Sequence, residues 1–211
     1  MAAQDLIPEV TTYVRAYMAN YDPSHDFNHI RRVVRLAQQL HAAESKSFAV
    51  PLDPAVVQLA ALLHDVGDRK YLREGDDPAT MVQNVLLGFG ASQELAERVQ
   101  AICLGVSYSS EVKDPARVRE LIGVYPELAI VQDADRLDAI GAVGIGRCFA
   151  FGGAKDRPME ETIRHFDDKL ILIEGMMKTA TGKEMARERT ERLLTFKSWW
   201  EAEHTALGDD E

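Results

Sequence analysis

The chain is written in helical periods. In "DLIPEVTTYVRAYMAN" (5–20) and "HIRRVVRLAQQLHAAE" (29–44), apolar residues recur three and four positions apart, which gathers them on one face of an α-helix. "DPAVVQLAALLHDVG" (53–67) opens on an Asp-Pro pair suited to a helix start and closes on a glycine stop. "DPATMVQNVLLGFG" (77–90) repeats that grammar, and Ser92 is placed to cap "SQELAERVQAICLGV" (92–106). The same spacing continues through "ELAIVQDADRLDAIGAVGIGRCFAF" (127–151), "PMEETIRHFDDKLILIEGMM" (158–177) and "KEMARERTERLLTFKSWWEAEH" (183–204). Apolar and polar residues never alternate for more than a few positions, so no strand is expected. The pattern predicts an all-α fold.

The joints "ESKSFAVPL" (44–52), "REGDDP" (73–78) and "FGGAKDRP" (151–158) are too short for interdomain linkers, and no repeat or low-complexity tract interrupts the chain. A single domain over residues 1–211 is expected, with a tail that frays from about residue 205. Hydrophobic content of 46% and charged content of 27% suit a globular protein with a sizeable core. A net charge of −10 argues against a nucleic-acid polymer as partner, although a few local cations or a metal could still hold a small anion. Cys103 and Cys148 lack zinc-knuckle spacing and are expected as reduced thiols. "MAAQDLIPEV" carries acidic residues where a signal peptide is basic, and no segment approaches the ~20 apolar residues of a membrane span. The cytoplasm is the expected location, with the nucleus left open; no membrane partner is expected, and a homodimer is left open.

One stretch resists a purely structural account. "LAALLHDVGD" (59–68) builds an apolar, burial-prone run and then sets His64 and Asp65 side by side. Burying an imidazole and a carboxylate together is costly unless both are satisfied. His29 shares a helix face with Val33 and Leu36, and Asp135 stands one turn after Val131, so both also point toward apolar faces. Three separate helices thus offer imidazole or carboxylate groups inward. A shared cation would reconcile them, because it neutralises carboxylate charge and uses imidazole lone pairs.

"HDFNHIRRV" (25–33), "LLHDVGD" (62–68) and "DADRLD" (133–138) together resemble the H…HD…D pattern of HD-domain metal-dependent phosphohydrolases. The resemblance extends to "IRHFDDKL" (163–170) and "ARERTERLLTFKSWWEAE" (186–203), and is strongest to the compact branch that includes a nucleoside triphosphate pyrophosphohydrolase. It implies a compact multi-helix bundle with a metal site in its core, the ligands being His29, His64, Asp65 and Asp135 by position. Such a nitrogen and oxygen set suits one divalent ion, Mn²⁺ first, with Mg²⁺, Co²⁺, Ni²⁺ or Fe²⁺ as alternatives. Some HD proteins hold a second metal with additional histidines after the HD pair, but "DDPATMVQNV" and "RVQAICLGVSYSS" contain none, which favours one ion.

Further residues surround these ligands in sequence. Asp68 could orient an attacking water and Lys70 could bind phosphate; alternatively Lys70 offsets a helix dipole and Asp68 caps the next segment. Arg32, three residues after His29, matches a basic position of the family pattern and could touch phosphate or pair with an acid. His165 and Lys169, spaced i and i+4, could share one phosphate oxygen or form a solvated helix face, and the resemblance favours the former. Asp138 could accept an imidazole N–H behind the ligands, while His25 and Asp26 could do the same or cap a helix. The glycines of "AIGAVGIGRCFAFGGA" (139–154) make neither a P-loop nor a Rossmann turn, and are expected to permit close helix packing.

The resemblance implies hydrolysis of a small-molecule nucleotide, with a nucleoside or deoxynucleoside triphosphate cleaved to the monophosphate and pyrophosphate. A nucleoside monophosphate 5′-phosphatase is the nearest alternative. A di-iron oxygenase would require more histidines, and a non-catalytic nucleotide sensor would not require intact ligands.

Overall fold

The computed structural model describes residues 2–68, 72 and 74–205. Eleven α-helices and no strand occur among them: α1 (Ile7–Tyr17), α2 (Phe27–Glu44), α3 (Pro54–Leu63), α4 (Met81–Gly88), α5 (Gln93–Val106), α6 (Tyr108–Lys113), α7 (Pro115–Val124), α8 (Glu127–Asp138), α9 (Gly141–Ala154), α10 (Met159–His165) and α11 (Ala180–Thr205). The fold is all-α, as the periodicity predicts. No single helix among the described residues is long and apolar enough to cross a membrane. Both cysteines are free thiols. Past Thr205, the tail expected to fray lies outside the described residues.

Local chemistry starts the helices where the sequence marks them. The Asp53 carboxylate accepts from the Ala55 and Val56 amides at 2.8 and 3.3 Å, with Pro54 in the first turn. Ser92 Oγ accepts from the Leu95 amide at 3.3 Å. The Asp77-Pro78 signal makes a turn first, and α4 begins only at Met81. Two helices fall where none was expected: Asp114 and Pro115 open α7 with the same start signal as α3, and α6 precedes them.

Two long stretches of helical spacing are broken. Gly141, at φ +73°, separates α8 from α9, and the two axes bend by 71°. After His165 the chain widens into a π-type turn, Phe166–Leu170, and then tightens into a 3-10 segment, Ile171–Met176.

The helices that carry the HD-like motifs form the centre. α2 packs against α3 and α8, and α5 backs both α3 and α8. Val33, Ile30, Leu59, Leu63, Val131 and Leu137 are buried where they meet. Glu127 is fully buried at the start of α8, and accepts from Arg98 Nη2 at 2.5 Å and the Asp53 amide at 3.1 Å, linking α5 and α3 to α8. The first turn of α11 is pinned from two sides. Glu44, at the end of α2, accepts from the Thr181 amide at 2.6 Å, and Asp133 of α8 accepts from the Lys178 and Thr179 amides at 2.8 Å each. The Thr181 hydrogen bonds hold the Glu44 carboxyl below its ordinary range.

Glycine sets the distance between α5 and α8: a Cβ on Gly105 would lie 2.6 Å from Leu128 Cδ2. Gly105→Ala is expected to destabilise the protein by about 1–3 kcal/mol through overpacking. Gly146, exposed on α9 with open space around it, provides the contrast, since alanine there should stabilise by about 0.5–1 kcal/mol. Urea unfolding midpoints of the two variants measure both effects, and equal shifts of one sign would remove the packing explanation.

Candidate metal centre

α2, α3 and α8 bring their polar groups to one point. His29 sits in the first turn of α2, its backbone held by Asp26, whose Oδ1 accepts from the Asn28 and His29 amides at 2.9 and 3.1 Å. Asp26 therefore caps the helix, and the imidazole finds its acceptor elsewhere. α3 ends at Leu63, and His64–Gly67 form a turn in which Gly67 takes φ +85°. That turn lets His64 and the neighbouring Asp65 face the same side. Asp135 projects from the third turn of α8.

One ligand atom each from His29, His64 and Asp135 can be chosen so that all lie within 4.8 Å of one another. The two Nε2 atoms are 3.2 Å apart. Asp135 Oδ1 is 3.6 Å from both, and Asp65 contributes Oδ2 at 3.3 Å from His29 and Oδ1 at 3.4 Å from His64. Both imidazoles are almost wholly buried, while Asp135 keeps 27% of its side chain exposed. The group is thus closed behind and open in front.

The opposite edges of the rings decide their tautomers. His64 Nδ1 lies 2.9 Å from the Ala61 carbonyl, which can only accept, so Nδ1 carries the proton. His29 Nδ1 donates to Asp138 Oδ2 at 2.8 Å. In the neutral rings both Nε2 lone pairs then face each other, with two carboxylates beside them. Burial disfavours the His64 imidazolium, yet Asp65 and Asp135 overbalance it and raise its pKa to about 9. Burial alone would likewise push the Asp65 carboxyl up, but the His64 and His29 imidazoles hold it well below the usual carboxylate range. A single proton can bridge one pair of atoms. It leaves the rest unsatisfied, and Asp65 Oδ2 is buried without a hydrogen-bond partner. One divalent ion would satisfy all four side chains, so the residues present fit a metal.

Asp138 stands behind the group as its anchor. Its side chain is 2% exposed and accepts from His29, from Arg32 Nε at 2.7 Å and Nη2 at 3.0 Å, and from Arg147 Nη1 at 3.1 Å. Burial opposes its ionisation, but the bonds from His29 and Arg32 and the Arg147 charge hold its carboxyl below the ordinary range. Arg32 thus adopts the ion pair, the second of the two roles expected for it. Arg147 was not anticipated. Its Nε also donates to the Ser24 carbonyl at 2.7 Å, and a lone guanidinium in an otherwise apolar, glycine-rich helix was the available signal.

A basic rim leads outward from His29. The His25 ring lies 6.0 Å from that of His29 and 5.8 Å from Phe151, over which Lys155 and Arg157 are each placed at 5.8 Å. His165 ends α10; burial depresses its pKa, and the Lys169 and Arg157 charges depress it further. Lys169 Nζ lies 4.9 Å from the Tyr108 ring centroid. His165 and Lys169 are near one another, but Lys169 lies in the π-type turn that follows His165, and the convergent ligand group does not include them. Asp68 follows Gly67, beyond the end of α3, so it does not share a helix face with His64. Lys70 lies outside the described residues.

The HD domain family model matches residues 26–140, the segment that contains all four convergent side chains. The chain belongs to the HD-domain family. YpgQ of Bacillus subtilis is 35% identical over 192 residues, covering 89% of this chain and 88% of YpgQ. The crystal structure of YpgQ in complex with ADP superposes with a TM-score of 0.75 at 34% identity, over 93% of this chain and 97% of that one. An HD-superfamily hydrolase from Bacillus thuringiensis has a TM-score of 0.71 at 30% identity, over 97% of this chain and all of that one.

Asp138→Asn keeps the volume of the anchor but removes the charge that two guanidiniums and His29 share. Metal affinity is expected to fall about 10- to 100-fold with the helical fold retained. Titration with Mn²⁺ and elemental analysis would measure this, with wild type saturating near one equivalent. Undiminished affinity in the variant would remove Asp138 from the ligand support.

Proposed function

We propose that this HD-domain chain is a single-metal phosphohydrolase acting on nucleotides, and that it cleaves nucleoside triphosphates to the monophosphate and pyrophosphate. The observation that carries the reading is the facing pair of imidazole Nε2 atoms, 3.2 Å apart, with the Asp65 and Asp135 carboxylates beside them. His29, His64, Asp65 and Asp135 would hold the ion, with Mn²⁺ best suited to their mixed nitrogen and oxygen donors. A bound divalent ion supplies a water of lowered pKa and polarises a phosphoryl oxygen. The ADP held by YpgQ supports a nucleotide as the ligand.

The chain's own groups divide the remaining work. Asp138 keeps the His29 proton on Nδ1 and its lone pair on Nε2, with Arg32 and Arg147 fixing the carboxylate in turn. Lys169 and Arg157 offer positive charge on the rim to a polyphosphate. His165, with its pKa lowered by burial, is neutral at pH 7 and can donate or accept a hydrogen bond there. Asp68 is the carboxylate next along the chain after the ligand pair and would orient the attacking water; Lys70, by its position in the sequence, would bind phosphate.

A panel of ribo- and deoxynucleotides assayed with Mn²⁺, with phosphate and pyrophosphate separated, tests the reaction. Pyrophosphate from triphosphates is the expected product; phosphate released only from monophosphates would reassign the protein as a 5′-phosphatase. Lys169→Met should lower kcat/KM by roughly tenfold to a few hundredfold, the loss of one charge-assisted hydrogen bond, while metal content stays constant. Unchanged efficiency would return Lys169 to the solvated surface.

A further inference from the structure

A second concave site lies along α2, one to two turns beyond His29. It is a cavity of ≈ 350 Å³ enclosed by α2, the start of α9 and the middle of α11, and none of the four convergent side chains lines it. Four guanidinium groups do: Arg32 and Arg35 from α2, and Arg189 and Arg192 from α11. The lining contains a single carboxylate, that of Asp138, which already accepts from His29, Arg32 and Arg147.

Two of these cations have a carboxylate partner: Arg32 pairs with Asp138, and Arg192 with the exposed Glu188 at 3.5 Å along its own helix. Arg189 donates through Nη1 to the Leu137 carbonyl and shares the Asp138 and Glu188 charges with those neighbours. Arg35 has no hydrogen-bond or ion-pair partner among the described residues. The anchoring of α11 by Glu44 and Asp133 sets α11 beside α2, so the two arginine pairs line one cavity in the folded state. In a chain of net charge −10, such a concentration of one sign inside a cavity calls for an anion. The backbone adds to it. Gly141, Ala142 and Val143 line the same cavity at the start of α9, a 14-residue helix with no side-chain cap.

We propose that this cavity is a second anion site, separate from the metal centre, which binds a small phosphate-bearing ligand through Arg35, Arg189 and Arg192. Planar guanidiniums bind phosphoryl oxygens in pairs, and several of them around one cavity suit a ligand with more than one oxyanion edge. Arg32 borders both this cavity and Asp138, so the site abuts the support of His29 without including a metal ligand. Nothing in the assignment depends on the catalytic reading, and its test requires no turnover.

Isothermal titration of the full, metal-loaded chain with sodium sulfate, against sodium chloride of matched ionic strength, probes the site with an oxyanion that coordinates divalent metals weakly. Saturable sulfate binding is expected, weakened about tenfold or more in Arg35→Glu/Arg192→Glu, and unchanged in Lys169→Met. Both arginines are exposed; circular dichroism would check folding, and the milder Arg35→Gln/Arg192→Gln pair should weaken binding in the same direction. AMP and ADP identify the natural form. Tighter binding than sulfate that depends on the two arginines assigns a nucleotide, whereas an arginine-dependent component no tighter than sulfate assigns a free inorganic phosphate. Equal sulfate affinity in wild type and both arginine variants, or no saturable binding of sulfate, AMP or ADP to wild type, would overturn the proposal.

Discussion

The buried Asp138 carboxylate is the interaction on which the arrangement of this protein depends. It sits at the last residue of α8, beside the bend into α9, and takes donors from α2 and α9 at once. A carboxylate buried to this extent would be strongly destabilising alone, and its donors offset that desolvation. The same bonds fix how α2 and α9 meet the end of α8. Because one of the donors is the His29 ring, a constraint on the packing becomes a constraint on a tautomer. The lone pair of His29 Nε2 is thereby aimed at His64 and the two remaining carboxylates.

That transfer from packing to chemistry explains why the polar centre is tolerated within an apolar core. Leu59, Leu63, Val131 and Leu137 are fully buried on the same helices that carry groups which would otherwise favour water. The convergent atoms form one concentrated demand for positive charge, and a demand of that kind is met by a cation more completely than by hydrogen bonds. Its membership in the HD-domain family places the demand in a wider setting, since the matched segment covers every member of the group.

The distribution of charge carries a second lesson. A net charge of −10 sets a repulsive far field for any nucleotide or phosphate. Screening limits that field to about 10 Å at 0.1 M salt, so short-range arrangement decides what binds. Cations gather around Phe151 and Tyr108, through Lys155, Arg157 and Lys169, and in the cavity between α2 and α11. Composition averages over such clusters and reveals none of them.

What the chain determines locally could be read before folding. Helical spacing, the Asp53-Pro54 start and the Ser92 cap act within a few residues, and α3 and α5 begin where they indicate. The inward placement of His29, His64, Asp65 and Asp135 was also legible, because each lies on or beside an apolar face. Asp114-Pro115 spells the same start signal for α7, but Val118 is that helix's one buried residue, so apolar spacing gives little warning of it. The break at Gly141 was hidden inside a continuous apolar run, because a bend of 71° depends on one residue's backbone angle and not on hydrophobicity. Partners distant in sequence were decided only by the tertiary structure. Asp138 meets Arg32 across 106 positions, and Arg35 and Arg192 come to line one cavity only in a fold where Glu44 and Asp133 anchor the start of α11. Periodicity fixes which way a side chain leaves its own helix; what it meets depends on how the helices pack against each other, and that is set by the whole core at once.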